Sequence, residues 1–184
     1  MNEVLDVIKN RRSIRKYLPR QIKEEDLNMI IESAIYAPSA HNDQPWHFTV
    51  IQNKDLIQKI SDKSKKLMAE SEIDWMKKMA LNPDTNLTYN APTLIIVSGN
   101  KTATAPLVDC SAAIQNMLLT AESLGIGSVW IGLIKFFFSL EDEVKKLGIP
   151  NGYDPYYGVA LGYKLHDQKS ITPERNLNVV NYIR

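Results

Sequence analysis

The chain has 184 residues, a length that suits one compact domain spanning residues 1–184. Its 22 lysines and arginines balance 21 aspartates and glutamates, and a net charge of +1 predicts no general attraction to nucleic acid or to an anionic membrane. Cys110 is the single cysteine, so an internal disulfide is excluded, and the three histidines form no zinc-binding spacing with it. No apolar run approaches the roughly 20 residues needed to span a bilayer. We therefore expect a cytoplasmic protein without a metal site.

Periodicity predicts two helices, a strand and a further helical region in the first half of the chain. The first helix covers residues 2–10 with Asn2 as its N-cap, and the second starts near Glu24. Trp46–Ile51 is rich in aromatic and β-branched residues, which predicts a strand. Residues 54–80 show helical spacing in two pieces that are charged on their other side. That pattern is typical of a mobile segment that covers a binding pocket.

Strands and helices alternate in the second half. Pro92–Ser98 contains four consecutive apolar residues, which predicts a strand buried on both faces. A long helix is expected from Pro106, because proline suits a first helical turn. Ser128–Gly132 predicts another strand, and Ser139 is expected to open a helix through a capping box. Tyr156–Tyr163 is the last predicted strand of the main body.

The last twenty residues are polar at first and apolar from Leu177 to Ile183. An apolar tail that follows a complete domain should bury itself against another surface. A partner subunit is a suitable surface, so we expect a homodimer.

The segment before the second helix combines several cations with a hydroxyl. In an extended chain, alternation puts Arg11, Ser13 and Arg15 on one side and Arg12 on the other. Arginine offers a planar fork of donors that matches the oxygens of a phosphate monoester. This arrangement would place Arg11 and Ser13 at the phosphate end of an elongated cofactor and Arg15 further along it. A solvated basic turn or a nucleic-acid patch is the alternative interpretation.

A polar loop, Ala37–Trp46, connects the second helix to the first strand. The amides of Asn42 and Gln44 can each donate and accept hydrogen bonds, which suits the edge of an isoalloxazine ring. Pro38 and Pro45 fix the ends of the loop and limit the entropy lost on binding. The alternative is an ordinary connection whose polar side chains satisfy local backbone groups.

The order of these motifs along residues 4–183 resembles the nitroreductase family of flavoenzymes. The matching segments are Arg11–Tyr17, Ala37–Trp46, Ala91–Thr93, Leu124–Gly132 and Ala160–Tyr163. The resemblance implies an α+β fold with a central, mainly antiparallel sheet flanked by helices. It also implies one FMN-binding domain that forms a homodimer, with the C-terminal tail exchanged between subunits.

The resemblance further implies roles for individual residues. Arg11 and Arg175 would hold the FMN phosphate, Ser13 would lie at the phosphate or ribityl end, and Arg12 would serve through its backbone. Arg15 would lie near N1 and the C2 carbonyl of the flavin. The partner subunit would line one side of the ring with Pro38, Ser39, Ala40 and Asn42, and its Gln44 would lie close by. Backbone on the other side of the ring would come from Ile131, Gly132 and Leu133.

The implied function is an FMN-dependent oxidoreductase that takes hydride from NADH or NADPH and reduces nitroaromatics, quinones or related acceptors by a ping-pong mechanism. Chemistry at the flavin needs no protein nucleophile, and the nicotinamide would be a transient substrate because the chain has no glycine-rich dinucleotide motif. His41 is either a proton donor or an exposed loop residue, and Trp75 and Met76 form either a lid or ordinary packing. The alternatives are a reductive dehalogenase or flavin-fragmenting enzyme on the same fold, a flavin sensor or reservoir, and a nucleic-acid binder.

Overall fold

The computed structural model describes residues 2–165 and 173–184. One four-stranded antiparallel sheet has the strand order β1-β2-β4-β3. The strands are β1 (Trp46–Ile51), β2 (Thr93–Asn100), β3 (Ile126–Ile131) and β4 (Tyr153–Tyr163). The helices in the described part of the chain are α1 (Glu3–Asn10), α2 (Glu24–Ile35), α3 (Lys54–Met68), α4 (Asp74–Leu81), α5 (Pro106–Ser123), α6 (Lys135–Phe138) and α7 (Glu141–Val144). The predicted α+β class is confirmed.

The sheet lies between two helical layers, and its central strand β2 is buried on both faces. Ile95 and Val97 pack with residues of α2 and α5 on one side. Leu94 and Ile96 pack with residues of α3 and α6 on the other side. Each of these side chains is fully buried, which is worth about 1.5–3 kcal/mol for a large aliphatic residue. The consecutive apolar residues therefore predicted this strand correctly.

Helix α5 begins and ends at the residues that the sequence indicates. Pro106 lies in its first turn, and Gly125 adopts a left-handed conformation (φ +71°) just after the helix. Asn116 Nδ2 donates a hydrogen bond of 2.9 Å to the carbonyl of Ser33 on α2. Buried small residues such as Ala113 let α5 pack closely on the sheet.

A helical stretch is present where Ser139 was expected to open one, but its N-cap is Leu140, and the stretch ends at Gly148 in a left-handed conformation. Ser139 instead ends α6, where its hydroxyl donates to the carbonyl of Phe136 at 2.8 Å, and α7 begins after Leu140. The preceding segment forms the short helix α6, in which Phe137 is completely buried. Ser139 therefore lies at the C-terminal end of α6 and is not the N-cap of α7.

Two apolar surfaces are exposed on the protomer. Helix α1 has no buried residue, and its apolar face presents Val4, Leu5 and Ile8 to solvent. The described tail, residues 173–184, has no regular secondary structure, and Leu177 and Ile183 are 84% and 94% exposed. Among the residues that the structure describes, no helix is both long and apolar enough to cross a membrane.

Candidate active site

The basic segment is held against the edge strand β3 by one buried side chain. Ile14 is buried, its amide donates to the carbonyl of Ser128 at 3.0 Å, and Ser13 forms a β-bridge with Ser128. Because successive residues of an extended chain point in opposite directions, Ser13 and Arg15 are exposed on the side away from Ile14. Ser13 and Arg15 thus share one exposed side, as the alternation predicts, whereas Arg11 and Arg12 are both half-buried.

The two preceding arginines lie at the end of α1. Arg11 is half-buried, and its amide donates to the carbonyl of Val7 as the helix ends. Arg12 Nη1 donates to the carbonyls of Lys9 and Arg11, each at 2.7 Å, so its guanidinium turns back to cap the helix. The role of Arg12 toward a ligand through its backbone stays a prediction.

Arg15 is in contact with Tyr89, which the sequence analysis did not single out. Arg15 Nε donates to the phenolic oxygen of Tyr89 at 3.4 Å, and the guanidinium carbon lies 5.6 Å from the ring centroid. Both residues line a cavity of about 300 Å³ together with Met79 and Asn86. Tyr17 lies behind them, where burial raises the pKa of its phenol and its hydroxyl donates to the carbonyl of Ile14.

The polar loop before β1 has a strained backbone. His41, Asn42 and Gln44 all adopt positive φ angles, +50°, +57° and +45°. Asparagine tolerates this region, but it is uncommon for the other two residue types, and each such residue costs on the order of 1–3 kcal/mol. Strained backbone of this kind persists only where the surroundings hold it, and it concentrates at ligand-binding sites.

Two carboxylates, which accept hydrogen bonds from backbone amides, fasten this loop to the region where α5 begins. Asp43 Oδ2 accepts from the amide of Thr104 at 2.9 Å, and the backbone and hydroxyl hydrogen bonds from Thr104 lower the pKa of Asp43. Asp109, which is buried, accepts from the amide of Ala40 through Oδ1 at 3.2 Å. Asp109 Oδ2 is also buried and has no hydrogen-bond partner within the described residues.

The side chains of the loop also bond to one another. Ser39 Oγ accepts from the amide of Gln44 at 3.0 Å, and Gln44 Nε2 donates to Asn42 Oδ1 at 3.2 Å. Pro38, Asn42 and Gln44 are exposed, whereas Ser39 and Ala40 are half-buried. The polar groups expected to face a flavin ring therefore form one preorganised surface.

Ile131, Gly132 and Leu133 lie at the end of β3. Ile131 is buried, and Gly132 and Leu133 are half-buried. A Cβ atom added to Gly132 would meet no atom within 4 Å, so open space adjoins this backbone. The structure thus leaves room for a planar group at this position.

Within one protomer, the basic segment and the polar loop lie at diagonally opposite corners of the sheet. Ser13 forms its β-bridge on the outer side of β3, in register with Thr93 at the start of β2. Pro45 directly precedes β1, and its carbonyl accepts from the amide of Asn100 at the other end of β2. Perpendicular to the strands, the two segments are separated by four strand spacings of about 4.8 Å, or roughly 19 Å. Parallel to the strands, seven residues along β2 add a separation of roughly 23 Å. One tricyclic ring cannot touch both segments of the same protomer.

The remaining candidates lie in exposed positions, with one exception. Arg175 is in the exposed tail, and His41 is exposed on the polar loop. Trp75 is 53% exposed on α4, while Met76 packs against the hydrophobic core. In α4 it is Met79 that lines the cavity beside Arg15.

Sequence reasoning missed Tyr89, Asp43 and Asp109. Asp109 had a detectable signal, because a carboxylate next to Cys110 interrupts the apolar face of a helix. Tyr89 had none, since its partner Arg15 is 74 residues away along the chain.

Comparison with known proteins gives consistent matches. The model of the Nitroreductase family matches residues 8–163. A protein of Archaeoglobus fulgidus, provisionally named an NADH dehydrogenase/NAD(P)H nitroreductase, is 36% identical over 171 residues, which cover 89% of this chain and 86% of that protein. The crystal structure of a nitroreductase with bound FMN from Bacteroides fragilis NCTC 9343 has a TM-score of 0.92 at 34% identity, with 100% of both chains covered. An iodotyrosine deiodinase of Thermotoga neapolitana is 27% identical over 136 residues, 70% of this chain and 73% of that protein.

Proposed function

We propose a function for this protein from one premise: the chain belongs to the nitroreductase family. Its proposed activity is that of an FMN-dependent oxidoreductase, which takes hydride from NADH or NADPH and passes two electrons to a nitroaromatic, a quinone or a related electron-poor acceptor. The observation that carries this proposal is the exposed side of the basic segment, held on the edge strand of a fold shared with an FMN-bound nitroreductase.

The residues of the basic segment fit a phosphate monoester and one edge of a flavin. Arg11 supplies a planar fork of donors, and the exposed hydroxyl of Ser13 supplies another donor on the same segment. Arg175, on the exposed tail, adds a third group for the phosphate if the tail reaches it. Arg15 is proposed to act near N1 and the C2 carbonyl, while Arg12 contributes its backbone.

The polar loop and the end of β3 fit the ring itself. Asn42 and Gln44 carry amides that match carbonyl and N–H groups along a ring edge. Their neighbours Pro38, Ser39 and Ala40 complete this surface. On the other side of the ring, the open backbone of Ile131–Leu133 accommodates a flat group because no side chain fills the space at Gly132.

The diagonal separation of the two segments supports a homodimer with two composite sites. In this arrangement the basic segment of one protomer and the polar loop of its partner act on the same FMN. The exposed apolar faces of α1 and the tail supply surface for such an interface. We propose that the tail of each protomer crosses to the partner subunit. We also propose that each protomer is a single domain and that the dimer is located in the cytoplasm.

When bound, FMN would supply two-electron chemistry at its N5 atom. The residues of the chain bind and orient the cofactor, and Arg15 favours its electron-rich state by placing a positive charge beside it. Cys110 takes no part as a nucleophile, because it is buried and burial raises the pKa of its thiol to about 12. The cavity of about 300 Å³ beside Arg15 has the size of a small-molecule site, which supports a compact, flat acceptor.

An absorbance spectrum followed by anaerobic reduction tests this function. Purified protein should carry a flavin spectrum, NADH or NADPH should bleach it within seconds, and a nitroaromatic or quinone should restore it. A sensor or reservoir would carry flavin but would not bleach rapidly with either nucleotide. A protein that retains no FMN in titrations would contradict the proposal.

A second candidate function is reductive dehalogenation, which the match to an iodotyrosine deiodinase favours. In this case the acceptor is a halogenated phenol, which loses halide as it gains two electrons and a proton. Adding 3-iodotyrosine to the reduced protein under anaerobic conditions separates the two candidates. Stoichiometric iodide release with reoxidation of the flavin supports dehalogenation, whereas reoxidation by quinone alone supports the first function.

A further inference from the structure

We propose that Tyr89 is a positioning residue, which holds the Arg15 guanidinium in the orientation in which that cation acts on the flavin. This inference rests on the proposed function, because it concerns the same site. It adds a residue that lies outside the motifs by which the family was recognised.

The contact between the two side chains restrains Arg15 in two ways. The phenolic oxygen of Tyr89 accepts from Nε at 3.4 Å, and the ring lies under the guanidinium, with its centroid 5.6 Å from the central carbon. The Nη1 group donates to the carbonyl of Ser13 at 3.4 Å, which turns the guanidinium back along its own segment. An exposed arginine otherwise samples many rotamers, so these contacts select an orientation before any ligand binds.

The backbone that carries Tyr89 is fixed by local hydrogen bonds. Asn86 Oδ1 accepts from the amide of Thr88 at 2.9 Å and from the amide of Asn90 at 3.3 Å. The amide of Leu87 donates at 2.9 Å to the hydroxyl of Ser61, a fully buried residue of α3. The loop is therefore anchored to the core.

The conformation of Tyr89 itself indicates that the position is constrained. Tyr89 and Asn90 both adopt left-handed backbone angles, φ +57° and +52°. For a bulky aromatic residue this region is unfavourable, and such strain is typical of sites where a side chain must point in one direction. Here the strained residue directs its ring and hydroxyl onto Arg15.

The other end of the Arg15 segment is fixed independently. Ile14 is buried and its amide bonds to β3, while Tyr17 donates to the carbonyl of Ile14. The backbone on both sides of Arg15 is thus held by the sheet edge and by Tyr17. Tyr89 restrains the Arg15 side chain together with the carbonyl of Ser13.

The test combines Tyr89→Phe, Arg15→Ala and the double variant in the full-length protein with FMN bound. The Phe variant keeps the ring and removes the hydroxyl that accepts from Arg15. We expect Tyr89→Phe to shift the flavin midpoint potential to a more negative value, by less than Arg15→Ala does. In the Arg15→Ala background, Tyr89→Phe should cause no additional shift, because the group that it positions is absent.

Tyr153→Phe serves as the matched control, because the ring of Tyr153 packs edge-to-face on His47 elsewhere in the sheet. The flavin midpoint potential of this variant should equal that of the wild type. In flavin-free protein, the Nε–H resonance of Arg15 should be ordered in the wild type and mobile in Tyr89→Phe by NMR relaxation.

The outcomes separate this inference from the proposed function. Suppose that the wild type binds FMN but Tyr89→Phe leaves the flavin midpoint potential unchanged, or shifts it by the same amount in the wild-type and Arg15→Ala backgrounds. The role of Tyr89 is then overturned while the proposed function stands. An Arg15 Nε–H that is mobile in wild-type protein also overturns it. If the wild type binds no FMN, the proposed function fails and this inference fails with it.

Discussion

The candidate residues of the basic segment differ in how firmly the protein holds them. Ser13 is fixed by its bridge to Ser128, and the Arg12 guanidinium is occupied at the end of α1. The guanidinium of Arg15 lies over the ring of Tyr89, and Arg15 lines the cavity of about 300 Å³. Because these side chains have different surroundings, the arginines should make separable contributions to cofactor affinity and to cofactor electronics.

Substituting Arg11 and Arg15 one at a time should separate these contributions. Arg15→Ala should lower the flavin midpoint potential by tens of millivolts, because a nearby charge is worth a few kcal/mol at most and about 1.4 kcal/mol corresponds to about 30 mV for a two-electron couple. Arg11→Ala should mainly raise the dissociation constant for FMN, roughly 10-fold or more, through loss of a charge-assisted hydrogen bond. Spectroelectrochemistry and flavin titration measure the two effects.

Arg20→Ala is the control for loss of one positive charge near this segment. Arg20 stacks on the ring of Tyr163 at 4.1 Å and is not a candidate for binding the cofactor. The affinity of the Arg20→Ala variant for FMN and its flavin midpoint potential should match those of the wild type. Reversed effects for Arg11 and Arg15 would contradict the assigned roles.

Glu143 should make the stability of the protein depend on pH in the acid range. Its carboxylate accepts from Lys59 and Lys63 at 2.7 Å and from Lys146 at 3.3 Å, and these hydrogen bonds lower its pKa to about 2. Because the folded-state pKa lies below the ordinary value of 4.5, this stabilisation is complete above pH 4.5 and disappears as the pH falls toward 2. The melting temperature of Glu143→Gln should therefore lie below that of the wild type at pH 7 and converge with it near pH 2. Asp142→Asn, which removes only an exposed pair with Lys145, should change little at any pH.

At the scale of elements, the path of the N-terminal segment determines where the basic residues lie. After α1 the chain pairs with β3 at Ser128, then with Lys164 beyond β4, and it reaches the start of β2 where Gln21 Nε2 donates to the carbonyl of Pro92 at 2.7 Å. It thus crosses the end of the sheet and joins three strands. Close packing on glycine makes this path possible, since Ile14 lies directly over Gly127.

Replacing Gly127 by alanine should disturb this crossing. The new Cβ would lie 2.8 Å from Ile14 Cγ2 and 3.1 Å from Ile14 Cβ, so the segment must shift. We expect a loss of about 1–3 kcal/mol in the free energy of unfolding and weaker FMN binding, because the basic residues move with Ile14. Denaturant unfolding and flavin titration measure these quantities.

Gly132→Ala is the matched control for this glycine. Its added Cβ would meet no atom of the protein within 4 Å, so stability should remain near that of the wild type. If a flavin occupies the adjoining space, its affinity should nevertheless fall. Equal stability losses in the two variants would contradict the packing argument.

At the scale of the whole molecule, one protomer carries the two segments proposed to bind FMN far apart from each other. The basic segment lies outside β3 and the polar loop lies beside β1, at opposite edges of the sheet. The apolar residues of α1 and of the tail remain in solvent on the isolated protomer. A second copy would cover such surfaces and bring complementary half-sites together.

Removing residues 176–184 should weaken the dimer and, with it, cofactor binding. The deleted segment carries Leu177, Val179, Val180, Tyr182 and Ile183, all exposed on the protomer. If this tail packs on a partner, its loss removes a large apolar area from the interface. Sedimentation at micromolar concentration should show a shift toward monomer, and FMN titration should show weaker binding. Removal of Arg184 alone should change neither property, and an unchanged dimer in the longer deletion would exclude the tail exchange.

The local pattern of the sequence determined most of the secondary structure and the identity of the family. Strand β2, the bounds of α5 and the N-cap Asn2, whose side chain accepts from the amide of Leu5, follow from periodicity and capping that act over a few residues. The alternation of Ser13, Ile14 and Arg15 is equally local, because it follows from extended backbone geometry.

Only the tertiary structure decided which distant residues meet. The contact of Tyr89 with Arg15 and of Asp109 with Ala40 joins segments about 70 residues apart, and no local pattern encodes such a pairing. The short helix α6, in which Phe137 is buried, likewise places Ser139 at the end of one helix and not at the start of the next. The strand order puts β1 and β3 at opposite edges and thereby separates the polar loop from the basic segment within one protomer. Local signals depend on bonded geometry, whereas these outcomes depend on long-range packing that the folded chain alone brings about.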